Sequence, residues 1–540
     1  MNDKIMGPEI ITWFLKSALP ALCSLAAICS LATILCLLAA QIFEVGVRWW
    51  SRLPPGPIGW PVVGSLFSLP GSRYVPACRK FTTLAQKYGP IIFLRMGLRP
   101  TIIVSNSKIA EEFFKVQDKT FDSRPQFATG RHLGYDYNST VFSSGSKFAK
   151  MNRIYRSDLL SISNVQRMGP LRMEEVRVLL ADVLRHVERA TDGLVDITSL
   201  VFKANLNLMG RIILSQKLFG DPEADDARPT EIENFKFFVK SATRLVGSFN
   251  ISDYIPALRR FDMQGVEKQL ELLKPHQEGL MLPIIHEYRR RYGQGYGEDE
   301  AKNLLPDLMA TLVHGHKDLS DETMMAVAID LIVGGSDSVS TALEWSITEL
   351  LRHPCYLQEA QEELDSVVGR HRLVVESDCD KLEFLDCVFK EILRLHPPTP
   401  LAIPHYSNKE CQLGGYRIPK DTVAYVNIYA IGRDPDVWKN PNEFEPNRFR
   451  NSPVRVLGHH FQLLPFSAGR RGCPGKFFAI PMYKLVLANL LHCFSWSPAP
   501  GIRCQDIGVE EAVGVVCSRL NPLVACVSPR LPERVILGHD

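Results

Sequence analysis

The sequence lacks the features that mark several large classes of protein. Its 13 cysteines are scattered over 540 residues, with no CxxC pair and no spacing typical of a disulfide framework. The net charge is only +3, so no strongly basic surface points to nucleic acid. There is no internal repeat and no long low-complexity tract. The chain is therefore expected to be a globular protein whose cysteines are reduced thiols, and it is long enough to bury a large hydrophobic core.

Near the N-terminus lies the one long apolar run. Ala18–Ala40 contains no charged residue over 23 positions, which is enough to cross the hydrocarbon core of a bilayer. The run is too long for the apolar region of a signal peptide, and no clear cleavage site follows it. Lys4 and Lys16 before it nearly balance Arg48 and Arg52 after it, so charge alone does not orient the segment. We predict a transmembrane helix here rather than a buried core helix.

A proline-rich segment follows the apolar run. Residues 53–57 read Leu-Pro-Pro-Gly-Pro, and prolines at this density hold a chain extended and stiff. We therefore divide the chain into a membrane anchor with its flanks, residues 1–52, and a globular body, residues 53–540, which begins with a proline hinge.

Helical periodicity dominates the body. Val176–Arg189 and Phe235–Leu245 carry helical spacing, whereas Ile91–Arg95 and Thr101–Ser105 are β-branched runs around a turn and predict a hairpin. The expected fold class is mainly α with small β-sheets, not a doubly wound α/β sheet.

Asp321–Arg352 predicts one long helix. Ser320 can cap its first turn, and Pro354 ends it. Gly334 and Gly335 lie near its middle, where each glycine costs roughly 1 kcal/mol relative to alanine. Local stability does not explain them, so either close packing or function does.

A glycine loop around Cys473 is the strongest candidate site. Gly469 and Gly472 permit a tight turn or close approach to a flat ligand, and Pro474 suits the first turn of a helix. Cys473 would then lie at a helix N-terminus, where backbone N–H groups favour a thiolate. Such a sulfur can bind iron. The alternative is an ordinary buried free cysteine.

The surrounding positions carry a resemblance to a known family. Five of them match the pattern Phe-x-x-Gly-x-Arg-x-Cys-x-Gly: Phe466, Gly469, Arg471, Cys473 and Gly475. A chance match over a chain of this length has a probability on the order of 10⁻⁴. The pattern resembles the haem-ligand signature of the cytochrome P450 family, and the chain is similar to its plant microsomal (type A) members. The resemblance implies haem b as cofactor, with Cys473 as the axial thiolate ligand of iron.

The long helix carries a second matching segment. Residues 334–338 read Gly-Gly-Ser-Asp-Ser and resemble the family pattern Ala/Gly-Gly-x-Asp/Glu-Thr. The resemblance implies that the helix opens above the haem, with Asp337 and Ser338 delivering protons during oxygen activation. Ser338 replaces the usual threonine, so the hydroxyl remains but the methyl group that restricts its rotamer is lost.

Two further segments match the family in outline. Glu391 and Arg394 fit its Glu-x-x-Arg motif, and Arg448 supplies the second arginine of a buried structural triad. His405 matches the residue that meets a haem propionate. The segment that begins at Ile418 resembles the start of one of the family's sheet strands. The resemblance also implies a set of apolar pocket candidates, each of which is equally compatible with ordinary core: Leu401, Ala402, Ile403, Val515, Val516 and Cys517.

One segment departs from the family. Where relatives have Trp-x-x-x-Arg, this chain has Phe148 and Asn152, so two expected propionate donors are missing. Arg153 is adjacent, but its side chain points about 100° away on a helix.

Basic residues in the same region suggest a docking surface. They recur every three residues along the predicted helix and are joined by one lysine beyond the cysteine: Lys147, Lys150, Arg153, Arg156 and Lys476. A solvated helix face is the simpler explanation. The resemblance implies that they meet NADPH–cytochrome P450 reductase.

These observations predict a membrane-anchored haem-thiolate monooxygenase. It would oxidise a lipophilic small molecule of plant specialised metabolism, using O₂ and electrons from NADPH through the reductase. The expected location is the endoplasmic reticulum membrane, crossed once, with the catalytic body in the cytosol. Two alternatives stay open: a P450-like isomerase or dehydratase that needs no reductase, and a non-catalytic, decayed paralogue acting as a membrane partner.

Overall fold

A computed structural model describes residues 51–68, 75–189, 193–218, 229–292 and 307–538, with a few isolated positions before them. The predicted transmembrane run Ala18–Ala40 therefore lies, apart from those positions, outside the described residues. Side-chain environments in the first part of the helix at 229–246 are also outside the description.

Helices make up most of the described chain. In the first half they are α1 Ala77–Tyr88, α2 Ser107–Glu111, α3 Ala128–His132, α4 Gly145–Arg153, α5 Ile162–Arg167, α6 Gly169–Arg189, α7 Ile197–Leu214, α8 Pro229–Val246, α9 Ile251–Tyr254 and α10 Val266–Tyr292. In the second half they are α11 Leu308–Gly315, α12 Asp321–Arg352, α13 Pro354–Val368, α14 Glu376–Cys379, α15 Glu383–Leu395, α16 Ile428–Ile431, α17 Lys476–Cys493 and α18 Glu533–Ile536. A π-helical turn, Ile154–Leu159, continues α4.

The strands are short and form small sheets. In chain order they are β1 Ile91–Met96, β2 Arg99–Val104, β3 Leu194–Asp196, β4 His405–Tyr406, β5 Cys411–Leu413, β6 Tyr416–Ile418, β7 Val423–Val426, β8 Phe494–Pro498 and β9 Val524–Pro529. The sheet orders are β1-β2-β7-β4, β3-β9-β8 and β5-β6. Only β2 and β7 pair in parallel among the described strands.

Helix α12 runs through the centre of the main core. It packs against α7, α10, α15 and α17, and most of its side chains are buried. Among the described helices, α7 and α12 are long and apolar enough to cross a membrane, but 78% and 72% of their apolar windows are buried inside the protein. Their apolar character is therefore explained by the core they build.

The predicted elements correspond closely to the observed ones. The fold class, mainly α with small sheets, is confirmed, and so are the hairpin β1–β2 and the helices over Val176–Arg189 and Phe235–Leu245. One strand prediction is wrong: Ile418 ends β6 instead of beginning a strand. The proline segment also docks on the sheet, because the Phe93 amide donates to the carbonyl of Pro55 at 2.8 Å.

Candidate active site

A cavity of about 380 Å³ lies between α12 and the loop that precedes α17. From α12, Gly334 and Ser338 line it, and from the loop, Phe466 and Cys473 line it. Most of the lining is apolar, which suits a lipophilic ligand with few polar contacts. The two segments that the sequence singled out, about 140 residues apart in the chain, therefore face one space.

The loop around Cys473 is built on a turn that needs glycine. Gly469 has φ +68°, and a Cβ at this position would overlap the carboxylate of Asp118. The Cys473 amide donates to the Phe466 carbonyl at 2.9 Å, which closes the loop. Helix α17 begins at Lys476, so the prediction that Pro474 lies in its first turn is wrong.

Burial raises the pKa of the Cys473 thiol. The backbone amides of Gly475 and Lys476, and the charges of Lys476 and Arg156, oppose that shift without reversing it. The helix end therefore favours the thiolate, as the sequence predicts, but burial outweighs this effect in the protein on its own. A coordinated metal ion would deprotonate the thiol outright.

The two glycines of α12 have different roles. A Cβ on Gly335 would lie 2.6 Å from the thioether of Met209 on α7, so this glycine permits close helix packing. Gly334 has open space and lines the cavity. Ser338 donates to the Gly334 carbonyl at 2.7 Å, and α12 continues without a break. The opening that the family resemblance implied is absent from the described helix.

Asp337 and Ser338 point to different surroundings. Ser338 lines the cavity, but Asp337 is not part of the lining. The buried Asp337 carboxylate accepts from Lys240 of α8 at 2.8 Å, and the lysine side chain is 45% exposed. Asp337 therefore connects to solvent through Lys240, while the serine hydroxyl beside it faces inward.

Two arginines, Arg471 buried and Arg124 half-buried, lie at another edge of the cavity. Arg471 donates to the carbonyls of Asp122 at 2.6 Å and Ser143 at 2.5 Å. Arg124 donates to the Ile403 carbonyl at 2.7 Å. Neither arginine forms an ion pair with a described residue, and backbone carbonyls accept the hydrogen bonds of both guanidinium groups. The Asp122 charge acts on Arg471 from beyond ion-pair distance.

The electrostatics of this cluster call for an anion. Burial lowers the pKa of Arg471 to about 10. Burial, and after it repulsion from Arg471, lowers the pKa of Arg124 well below its ordinary value. Burial and then Arg124 also lower the pKa of His405, whose Nδ1 contacts the Phe121 carbonyl at 2.7 Å. A ligand that brings carboxylates would relieve all three groups.

Arg124 is the functional candidate that the sequence did not reveal. It lies in an irregular segment with no periodic or spaced partner nearby in the chain. Its ligand-facing position depends on contacts with residues 403 and 404, nearly 280 positions away. No local signal predicts such a contact.

The two departures from the family pattern both line the cavity. The ring of Phe148 lies 3.4 Å from the guanidinium of Arg471, so it supports that arginine by a cation–π contact. Asn152 accepts from Arg156 at 2.9 Å. Arg153 is exposed and turned away, as its helical position predicts.

The remaining predicted residues divide into three groups. Those that line the cavity are Ala402, Ile403, Val515 and Val516. Leu401 instead packs beside the β1–β2 hairpin. Cys517 is buried, and its backbone carbonyl accepts a hydrogen bond from the Trp345 indole. The triad geometry is as expected: Glu391 accepts from Arg394 at 2.7 Å and from Arg448 at 3.0 Å, deep in the core.

Comparisons with known proteins agree with this arrangement. The profile of the family described as Cytochrome P450 matches residues 54–522. A flavonoid 3′-monooxygenase of Crocosmia x crocosmiiflora is 34% identical over 89% of this chain and 93% of its own length. A flavonoid 3′-monooxygenase of Petunia hybrida is 34% identical over 90% and 94%. The solved structure of a zebrafish cytochrome P450 with abiraterone is 24% identical, covers 84% of this chain and 99% of its own, and has a TM-score of 0.68.

Proposed function

The chain belongs to the cytochrome P450 family and is a cytochrome P450 monooxygenase, and from this premise we propose that it oxidises a lipophilic aromatic small molecule at the cavity between α12 and the Cys473 loop. The family cofactor is haem with a thiolate ligand. When bound, the haem supplies the redox chemistry that activates O₂ and transfers one oxygen atom to the substrate. The observation that carries the proposal is that Cys473 and Ser338 face the same largely apolar cavity.

The residues present fit such a cofactor. Cys473 would be the thiolate ligand of the iron, and Phe466 and Gly469 shape the loop that would present it. Arg124, Arg471 and His405 would hold the carboxylates of the haem, because all three line the cavity and neither arginine forms an ion pair with a described residue. Phe148 donates no hydrogen bond itself, but its ring holds the guanidinium of Arg471 in place by the cation–π contact.

Asp337 and Ser338, on α12, would handle protons at the wall of the cavity that this helix forms. Asp337 takes protons from the solvent side, where its carboxylate meets the exposed ammonium of Lys240. The Ser338 hydroxyl presents a proton to the cavity after rotating away from the Gly334 carbonyl. Without the threonine methyl group this rotation is less restricted, which makes the hydroxyl mobile but less well positioned.

Relatives support an aromatic substrate. Those quoted above are named as flavonoid 3′-monooxygenases, at 34% identity over nearly the whole body. The apolar lining from Ala402, Val515 and Val516 suits a ring system. We propose a plant phenolic or a related aromatic compound as the substrate class.

The redox partner is proposed to be NADPH–cytochrome P450 reductase. Arg153 and Arg156 are exposed on the α4 side of the Cys473 loop, and Arg156 lies 3.5 Å from the Gly472 carbonyl. Lys150 is already paired with Asp318, whereas Lys147 donates to the neutral amide of Asn138 and keeps its charge. The docking charge therefore comes mainly from Lys147 and the two arginines.

Residues 1–52 are proposed to anchor the protein in the endoplasmic reticulum membrane. The uncharged run Ala18–Ala40 spans the bilayer once, and the body from residue 53 lies in the cytosol, where the reductase is expected. The segment at 53–57 then sets the body close to the membrane.

The test is the absorption spectrum of the reduced, carbon monoxide-bound protein in microsomes. The wild type is expected to show a thiolate-type Soret band, and Cys473→Ser is expected to lose it. A wild type that is well expressed but has no such band would favour the non-catalytic alternative. Turnover of a substrate without NADPH or reductase would favour the isomerase or dehydratase.

A further inference from the structure

Asp118 contacts the turn that immediately precedes Cys473. It lies just after the π-helical residues Glu112–Val116, which continue α2, and it is 352 positions away from Arg470 in the chain. The Asp118 Oδ1 atom accepts a hydrogen bond from the Arg470 amide at 3.0 Å, and its Oδ2 atom lies 3.1 Å from the Nε atom of the same arginine. Both carboxylate oxygens therefore bind one residue of the turn, through its backbone and through its side chain.

The shape of the turn is adapted to this carboxylate. Gly469–Arg471 form a single 3-10 turn, in which the Gly472 amide donates to the Gly469 carbonyl at 3.2 Å. A Cβ on Gly469 would lie 2.4 Å from the Asp118 Oδ1 atom, so the glycine leaves the room that the carboxylate needs to reach the next amide. Because Cys473 follows this turn directly, any displacement of the turn would also move the sulfur.

The contact differs from an ordinary surface ion pair. Glu111, seven residues earlier, illustrates the ordinary kind, since it binds Lys115 through two exposed side chains and fixes no other segment. The Asp118 side chain is 23% exposed, and its bond to a backbone amide fixes the main chain as well as a side chain. The other distant contact of this backbone, from Arg156 to the Gly472 carbonyl, is longer at 3.5 Å. Asp118 is therefore the stronger of the two restraints.

We infer that Asp118 is a positioning residue for the iron ligand: it fixes the turn at Gly469 and Arg470 so that the Cys473 sulfur keeps one position and stays bound when haem is present. The inference rests on the proposed function and adds a residue to its machinery. Asp118 is not among the described residues that line the cavity, so it acts through the turn and not by contact with haem or substrate. Such an outer contact orients a ligand that does not move freely on its own.

Two measurements on the full-length protein test the inference. Hydrogen exchange followed by mass spectrometry reports the backbone amides of residues 464–475, and the reduced, carbon monoxide-bound spectrum reports how long the thiolate-type Soret band persists. Asp118→Ala removes both acceptors, whereas Asp118→Asn keeps one oxygen that can accept from the Arg470 amide. Glu111→Ala is the matched control, because it removes a carboxylate from the same segment whose partner is an exposed lysine.

Asp118→Ala is expected to speed exchange in residues 464–475 about tenfold and to shorten the life of the thiolate-type band by a similar factor, since a hydrogen bond to a charged group is lost. Asp118→Asn should recover most of both properties, and Glu111→Ala should match the wild type. Exchange in α13 should stay unchanged in all variants, which separates release of the turn from a general loss of stability.

Three results would overturn the inference. They are wild-type exchange in the loop of Asp118→Ala, an equal rise of exchange in α13, and a faster-exchanging loop with an undiminished life of the thiolate-type band. All three differ from the failure of the proposed function, in which the wild type itself shows no thiolate-type band. Exchange in the loop does not depend on that band, so it still decides whether Asp118 holds the turn.

Discussion

At the scale of single residues, Asp330 of α12 makes the free energy of unfolding depend on pH. Its pKa of about 7 in the folded protein exceeds the ordinary value of 3.8, so between those values the folded state holds more protons than the unfolded state. Stability therefore falls as pH rises through this range, and the penalty is complete above pH 7. Because the charge is only partly buried, we expect the penalty to the free energy of unfolding to be about 2 kcal/mol, less than the whole pKa shift would give.

Asp330→Asn removes this penalty. Thermal unfolding at pH 5 and pH 8 should show the variant gaining stability relative to the wild type at the higher pH. Asp318→Asn, which changes a fully exposed carboxylate paired with Lys150, should show no such gain. A difference between wild type and Asp330→Asn that is the same at both pH values would contradict the assigned pKa.

Arg124 provides a second residue-scale prediction. Arg124→Gln keeps hydrogen bonds to nearby carbonyls such as that of Ile403 but removes one of two charges proposed to hold the haem carboxylates. We expect purified Arg124→Gln to retain less than half the haem per protein of the wild type, with helical content unchanged. Arg153→Gln, an exposed arginine on α4, is the control and should retain haem normally. Full haem content in Arg124→Gln would show that this arginine is not needed to hold the haem.

The residue scale also shows what the sequence could predict. Cys473, Arg471 and Phe466 were found because they lie in one short motif whose spacing reflects a single loop. Arg124 was not found, and neither was the partner of Asp337, because Lys240 lies 97 positions away on another helix. Contacts that depend on packing between distant segments leave no periodic or spaced signal in the chain.

At the scale of the helix, the two glycines of α12 make a matched pair. Gly334→Ala places a methyl group in open space and should stabilise the protein by about 1 kcal/mol through helix propensity. Gly335→Ala places it against Met209, which must shift, so the gain is cancelled and about 1 kcal/mol is lost. Urea denaturation should therefore separate the two variants by about 2 kcal/mol.

A second substitution checks the cause. Met209→Ala removes the side chain that the new methyl group would meet, so adding Gly335→Ala to it should be neutral or stabilising. If Gly335→Ala costs the same with and without Met209, the packing explanation fails.

The ends of α12 were predicted to the residue, whereas the start of α17 was not. Ser320 accepts from the Thr323 amide at 3.3 Å, and Pro354 begins the next helix, so both boundaries are set by local chemistry. Pro474 carries the same kind of local signal, yet α17 starts at Lys476. There the backbone hydrogen bond between Cys473 and Phe466 fixes the conformation of the loop, so the helix begins a few residues later in the chain.

At the scale of the whole molecule, Glu391 joins helix α15 to the segment that approaches the Cys473 loop. It accepts from Arg394 and Arg448, and also from the Glu445 amide at 2.8 Å. The carboxylate is fully buried, so its charge depends on both arginines. Arg448 further donates to the Lys439 carbonyl at 2.7 Å, which ties the chain back on itself.

Arg448→Ala is therefore expected to act on the entire body. Removing Arg448 leaves the buried carboxylate of Glu391 with one of its two arginine partners, at a cost of about 3 kcal/mol in the free energy of unfolding. It also frees the backbone segment that follows α16. We expect a lower unfolding midpoint and, because residues 449–464 lead from this region into the Cys473 loop, little or no haem incorporation. Circular dichroism with haem quantification measures both effects on the same sample.

The neighbouring Arg450 provides the control for that experiment. It pairs with Glu359 on the surface, where both side chains are exposed, so Arg450→Ala should change stability by less than about 1 kcal/mol and leave haem content intact. Arg448→Lys keeps a positive charge but loses the forked donor geometry, and it should fall between the other two variants. If Arg448→Ala takes up haem as the wild type does, the buried triad does not govern assembly, and haem binding depends on the cavity cluster alone.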